Sequence, residues 1–276
     1  MTKISVAVAT YNEEKNIGKC LSSVADWVSE IVMVDGSSTD KTVEIAKKFK
    51  AKVIITDNPP IFHINKQKAI DACTGDWILQ LDADEIVNRE LKDEILEVIQ
   101  RPSNCHPEFI SGSSKMLKQV QHDKKNQSIN GYWIPRKNFF LGRFLMKGGQ
   151  YPDYALRLYK KGKGHLPCKS VHEQAIVSGK VGYLKNPLQH FPYENFSEYL
   201  EHFRRYTDIF AREYKEGSLG INPVSFINYL LIKPIHWFLL SYLRHKGFMD
   251  GCPGLVFSFF SSLRFPVSFI KYLLNK

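Results

Sequence analysis

The chain has 276 residues, 43% of them hydrophobic and 24% charged, with a formal net charge of +10. This length and composition exclude a disordered or fibrous chain and leave room for one large domain plus an appendage. The basic balance suits an anionic partner, and five scattered cysteines (Cys20, Cys73, Cys105, Cys168 and Cys252) exclude a disulfide framework and predict reduced thiols in a cytosolic setting.

No signal segment is expected, because Met1-Thr2-Lys3 leads straight into an apolar run and Glu13 and Glu14 follow closely. Residues 4–9 are apolar and β-branched, which predicts a buried strand. Thr10-Tyr11-Asn12 breaks it, with Asn12 as a helix cap, and Ile17, Cys20, Leu21, Val24 and Val28 mark one helix face. Residues 31–34 read as a second strand, Asp35 to Asp40 as a turn and cap, and residues 42–49 as a helix. A strand at 53–56, a helix at 64–73, a strand at 77–81 and a helix at 91–100 complete the series. This alternation predicts a doubly wound, mostly parallel sheet that binds its ligand beyond the carboxyl ends of its strands. Three polar clusters fall at those ends: Thr10 to Glu14, Asp35 to Asp40 and Asp82 to Glu85.

The sharpest local signal is Asp82-Ala83-Asp84. Two carboxylates two residues apart after a buried strand can hold Mg²⁺ or Mn²⁺ against a diphosphate, because hard cations accept few carboxylates and complete their shell with phosphate and water. The bland alternative is an acidic cluster at a helix start.

Three segments carry a resemblance: residues 6–14 (Val-Ala-Val-Ala-Thr-Tyr-Asn-Glu-Glu), residues 31–40 (Ile-Val-Met-Val-Asp-Gly-Ser-Ser-Thr-Asp) and residues 74–85 around Asp82 and Asp84. Together they resemble glycosyltransferase family 2, with its GT-A (Rossmann-like nucleotide-binding) fold. Gly131 to Arg136, Tyr151 to Leu158, Val171-His172-Glu173 and Gly247 to Gly251 resemble its lipopolysaccharide-core β-1,4-glucosyltransferase-like branch. The resemblance implies a nucleotide-sugar donor, probed first as a UDP-hexose, and a divalent cation. It implies that Tyr11 and Asp35 contact base and ribose, that Asp82 contacts ribose or diphosphate, that Asp84 is the metal ligand and that Lys66 faces the donor. Thr10, Asn12, Glu13, Ala83 and Arg157 complete the implied donor set, and His172 is a further metal or diphosphate contact. The family often has a second acid where this chain has Gly36. Tyr11 packed on the sheet edge and Lys66 in solvent are the plain structural alternatives.

Enzymes of this type invert the anomeric centre, which needs a carboxylate to take the acceptor proton. Asp153 and Glu173 are the candidates, with Asp153 preferred because it lies among Arg136, Lys137, Arg143, Lys147, Arg157, Lys160, Lys161 and Lys163. The structural alternative for Asp153 is a salt bridge to Arg157.

Residues 103–129 have no period and resemble translated repetitive elements inserted in bacterial reading frames; the alternative is an acceptor loop or a metal site at Cys105, His106 and His122. Residues 217–276 are rich in Phe, Leu, Ile, Tyr and Trp but interrupted by Lys233, Pro234, Arg264 and Pro266. The interruptions disfavour a spanning helix and predict amphipathic helices at a membrane interface, with ordinary core helices as the alternative. The expected organisation is therefore a catalytic domain at 1–216 and a membrane-associating region at 217–276, on the cytoplasmic face of the cytoplasmic membrane. The expected acceptor is a lipopolysaccharide, polysaccharide or lipid-linked glycan, and no nucleic-acid motif is present. Transfer to a polyprenyl phosphate, nucleotidyl transfer and a non-catalytic membrane scaffold are the competing functions.

Overall fold

A computed structural model of the chain describes residues 2–100, 129–169, 173–193 and 195–274. Contacts divide it into two units: Met1–Pro135 with Tyr154–Leu188, and Arg136–Asp153 with Gln189–Lys276. Of the insert expected at 103–129, residues 103–128 lie outside the described residues.

The first unit opens with the alternation that the apolar runs predict: β1 (Ile4–Thr10), α1 (Ile17–Ser22), β2 (Glu30–Asp35), α2 (Thr42–Lys48), β3 (Lys52–Ile55), α3 (His63–Asp71), β4 (Trp77–Leu81), β5 (Glu85–Ile86) and α4 (Arg89–Gln100). β6 (Ile129–Phe140) starts in this unit, β7 (Arg143–Leu145) belongs to the second, and β8 (Asp153–Lys160) returns to the first. Short strands follow: β9 (Gly164–His165), β10 (Ile176–Val177), β11 (Lys180–Tyr183) and β12 (Leu188–His190). The strand order β3-β2-β1-β4 is parallel throughout, and β8 then joins β4 antiparallel, so the sheet is mixed. Period-two alternation sorts the side chains. Val6, Val8, Leu79 and Leu81 face one core with Ile17, Leu21, Leu91 and Ile95, while Ala7, Val32, Val34 and Ile78 face the other with Ala69, Ile70 and Leu156. Parallel register sets Thr10 beside Asp35 and Val8 beside Leu81, which brings the polar ends of β1, β2 and β4 to one edge.

One helix departs from expectation. α1 stops at Ser22, not near Val28, and the chain continues in turns. The Ser23 hydroxyl donates to the Cys20 carbonyl at 2.6 Å and the Trp27 indole N–H to the Ser23 carbonyl at 3.0 Å, so side chains take over carbonyls that a longer helix would use.

In the second unit the end of β6 and β7 form a hairpin whose turn, Leu141-Gly142, has φ of 45° and 87°, the left-handed pair that a tight two-residue turn requires. α5 (Phe196–Glu216) is capped by Asn195, which accepts the Glu198 N–H at 2.9 Å. Two apolar helices follow, Pro223–Arg244 with 22 residues and Gly247–Leu274 with 28, both long and apolar enough to cross a membrane by length and composition. They run through the interruptions that disfavoured a spanning helix in the sequence. Pro234 directly follows a wider π-turn at Asn228–Ile232, which accommodates its missing N–H, and Pro266 lies inside the second helix.

The polarity of this helical pair is inverted. Ser225, Ser241, Ser258, Ser262 and Ser268 are buried, whereas Leu231, Ile232, Ile235, Leu239, Leu243, Phe259 and Ile270 are exposed. Small side chains inside let helix backbones approach closely, and large apolar ones outside suit an apolar solvent. Ser258→Leu is expected to overpack this seam and lower stability by about 1–3 kcal/mol, measured by thermal unfolding in detergent.

Candidate active site

The strand-end loops of β1 and β2 are laced together by their own polar groups. Asp35 is fully buried and accepts from the Thr10 hydroxyl at 2.9 Å, the Ser38 N–H at 2.7 Å and the Ser38 hydroxyl at 2.6 Å. Its carboxylate is thus the anchor of the loop. Asn12 is not the expected helix cap: its φ is 54°, its N–H donates to the Ser38 hydroxyl at 2.8 Å, and its side-chain carbonyl accepts the Thr39 N–H at 2.8 Å. The Glu13 N–H donates to the Thr42 hydroxyl at 2.7 Å. Tyr11, by contrast, is 46% exposed and is not packed on the sheet edge, so its ring is available for stacking. At Gly36 a Cβ would meet the Asn58 Cβ at 3.1 Å, a tight contact with an exposed side chain. Asp35→Ala leaves buried donors without partners and is expected to cost about 3 kcal/mol, read as a lowered melting temperature.

At the end of β4 the acids meet two cations. Lys66 from α3 pairs with Asp82 Oδ1 and also lies 4.7 Å from the Phe62 ring centroid. Arg157 from β8 reaches Asp82 Oδ2 at 2.5 Å and Glu85 Oε1 at 2.7 Å through the same Nη2. The other oxygen of Glu85 accepts the Asp82 N–H at 2.9 Å, and Glu85 is fully buried. The antiparallel pairing of Leu79 with Leu158 carries Arg157 to this place. Burial pulls the Arg157 guanidinium down, but the charges of Asp82 and Glu85 outweigh it, and its pKa is raised. The expected alternative of a solvated Lys66 does not hold, since Lys66 is 8% exposed.

Cys20 lies beneath this cluster, its thiol 3.4 Å from the Asp82 carbonyl. Burial pushes its pKa well up, and the charges of Glu85, Asp84, Asp82 and Glu13 push the same way. Cys73 is pushed up to about 12, by burial first and then by Glu30. Near neutral pH, a maleimide is expected to label the exposed Cys252 and to spare Cys20 and Cys73 until the protein is denatured, as read by peptide mapping.

Ala83 is buried between the two aspartates of the motif. No group of three His, Cys, Asp or Glu side chains is placed to hold a metal among the described residues, and His172 lies outside them. Asp82 is committed to Lys66 and Arg157. Asp84, two residues on and half-buried, is a carboxylate of the kind that a hard cation takes singly, finishing its shell with phosphate and water.

Asp153 is in the second unit. Its partner is Arg136, not Arg157: Arg136 Nη2 and Nε donate to Oδ2 at 2.7 and 3.2 Å, and Asn138 Nδ2 lies 3.5 Å from the same oxygen. Oδ1 takes no hydrogen bond among the described residues, and the side chain is 36% exposed. Glu173, in the first unit, accepts the Lys169 N–H on both oxygens, at 3.1 and 3.0 Å. Two residues were not singled out from sequence, Glu85 and Arg136. Glu85 stands three residues after Asp82, the spacing at which a side chain can turn back onto a backbone N–H, and that signal was present. Arg136 was visible only as one basic residue among many.

The architecture and the acid-and-cation edge define a nucleotide-binding α/β protein of GT-A type. Residues 5–163 match the model of glycosyl transferase family 2, and the chain belongs to that family: it is a glycosyltransferase. It is 36% identical over 266 residues to an uncharacterized glycosyltransferase of Rickettsia felis, an alignment covering 93% of this chain and 84% of the relative. It is 25% identical over 279 residues to the lipopolysaccharide core biosynthesis glycosyltransferase LpsC of Rhizobium meliloti, covering 95% and 91%. Among solved structures it is similar to S. aureus TarS in complex with UDP-GlcNAc, at 17% identity and a TM-score of 0.46 over 93% of this chain and 79% of that one.

Proposed function

We propose that the chain transfers a hexose from a UDP-hexose to a lipopolysaccharide-type or lipid-linked acceptor, with inversion, at the cytoplasmic face of the membrane. The observation that carries the donor reading is the end of β4, where Lys66 and Arg157 bring two cations onto Asp82, two residues before Asp84. Tyr11 offers a ring to the base, and the Asp35-anchored loop holds the backbone around it. Asp84 would hold Mg²⁺ or Mn²⁺, which supplies positive charge to the departing diphosphate. Lys66 and Arg157 hold Asp82 in place, so the site needs no rearrangement as charge develops. Asp153 takes the proton of the acceptor hydroxyl, while Arg136 holds its Oδ2.

The acceptor reading is supported by the similarity to LpsC and by the inverted polarity of the two apolar helices. Basic residues occur along those helices and at the turn between them, at Lys233, Arg244, Lys246, Arg264 and Lys271, which favours helices lying along the headgroup layer. The test is release of nucleoside diphosphate by the purified chain from a panel of UDP-, GDP- and dTDP-hexoses, with bacterial lipid extract as acceptor. One UDP-hexose is expected to turn over with Mg²⁺ or Mn²⁺, to stop with excess EDTA and to recover when the cation is restored. Turnover of no donor by folded protein contradicts the proposal.

A further inference from the structure

Two cations sit halfway along the apolar helices with aromatic rings for neighbours. Lys233 Nζ lies 3.6 Å from the Tyr229 ring centroid and 6.0 Å from that of Phe265. The Arg264 guanidinium carbon lies 4.4 Å from the Trp237 centroid, 4.8 Å from Phe265 and 5.8 Å from Phe210. Both are half-buried, and no carboxylate pairs with either among the described residues. Their positions along the pair match as well. Lys233 is ten residues beyond Pro223 and Arg264 ten before Leu274, about 15 Å along each helix from the same end of an antiparallel pair.

Rings attract a cation but cannot neutralise it, and two cations sharing the Phe265 ring repel each other. Around them the outward side chains are Leu231, Ile232, Ile235 and Ile270. A pair of unpaired cations in an apolar setting is a costly arrangement unless an anion completes it. Anions that reach such a place carry their own apolar tail. We infer that Lys233 and Arg264 form a binding site for the phosphate of a lipid, with Trp237 and Phe265 as its apolar walls. The inference deepens the membrane reading above and rests on it: the site would dock an anionic acceptor lipid by its phosphate, or take a phosphate of the bulk bilayer.

The experiment is binding of the full chain to vesicles of phosphatidylcholine alone, of phosphatidylcholine with phosphatidylglycerol, and of phosphatidylcholine with phosphatidic acid, followed by flotation. Wild type is expected to bind the neutral vesicles and to prefer those containing a net-anionic lipid, Lys233 and Arg264 contributing about thirtyfold, the effect of two basic contacts. The doubly substituted Lys233→Gln, Arg264→Gln chain keeps neutral-vesicle binding and has that preference lowered by the same factor. The charge-preserving Lys233→Arg, Arg264→Lys chain keeps both. A preference confined to phosphatidic acid assigns the site to a terminal phosphate, as on an acceptor lipid; an equal response to phosphatidylglycerol assigns it to bulk lipid. An undiminished preference in the Gln,Gln chain, or its loss in the charge-preserving chain, overturns the site while leaving the membrane reading intact. Failure of wild type to bind any vesicle overturns both.

Discussion

Arg157→Ala is expected to lower stability by about 3–5 kcal/mol, because it strips the cation from a buried carboxylate. Glu85 is fully buried and touches Arg157 at 2.7 Å. Asp82 loses one of its two cations but keeps Lys66 and partial exposure, so the greater burden falls on Glu85. The melting temperature should fall on the order of 10 °C for a chain of this size. Adding Glu85→Gln to Arg157→Ala should recover part of the loss, since an amide needs no counter-charge. A lone Arg157→Ala chain that melts with wild type would show that the cluster is solvated and that Asp82 is not held as described. Activity should fall in either background, because the fixed Asp82 is lost with the guanidinium.

Asp153→Asn is expected to reduce transfer by about 10²–10⁴-fold while leaving donor binding unchanged. The amide keeps an oxygen for Arg136 and Asn138 but cannot take a proton, so the change is confined to the chemical step. The measurement is transfer rate alongside donor affinity by titration, with Glu173→Gln in parallel. Glu173 spends both oxygens on the Lys169 N–H, and its loss is expected to loosen a turn without a comparable effect on rate. If Asp153→Asn transfers at the wild-type rate, the base is elsewhere, or the acceptor is a phosphate that needs none.

Much of the first unit was legible because local patterns and the sheet agree. The short β-branched runs of β1, β2 and β4 are buried on both faces, and parallel pairing leaves their polar ends on one edge, as the strand–helix alternation requires. The partners of Asp82 were not legible. Lys66 is near in sequence but Arg157 is 75 residues away, and only the antiparallel entry of β8 beside β4 joins them. Likewise Asp153 was read against Arg157 by spacing, whereas its partner Arg136 comes from β6. Asn12 reads as a cap by residue type, yet its left-handed backbone and its bond to Thr39 depend on a loop that lies 27 residues on. The inverted polarity of the last two helices was partly visible in the spacing of Ser258 and Ser262, four residues apart, but which face packs inward depends on neighbouring helices.

The central claim is that Asp84 holds the cation on which donor cleavage depends. It is tested most directly by nucleoside diphosphate release from the preferred donor in wild type and Asp84→Ala, in Mg²⁺ or Mn²⁺, with both melting temperatures recorded. The account predicts a rate lowered by about 10²-fold or more in Asp84→Ala at a nearly unchanged melting temperature. Equal rates in the two proteins would contradict it.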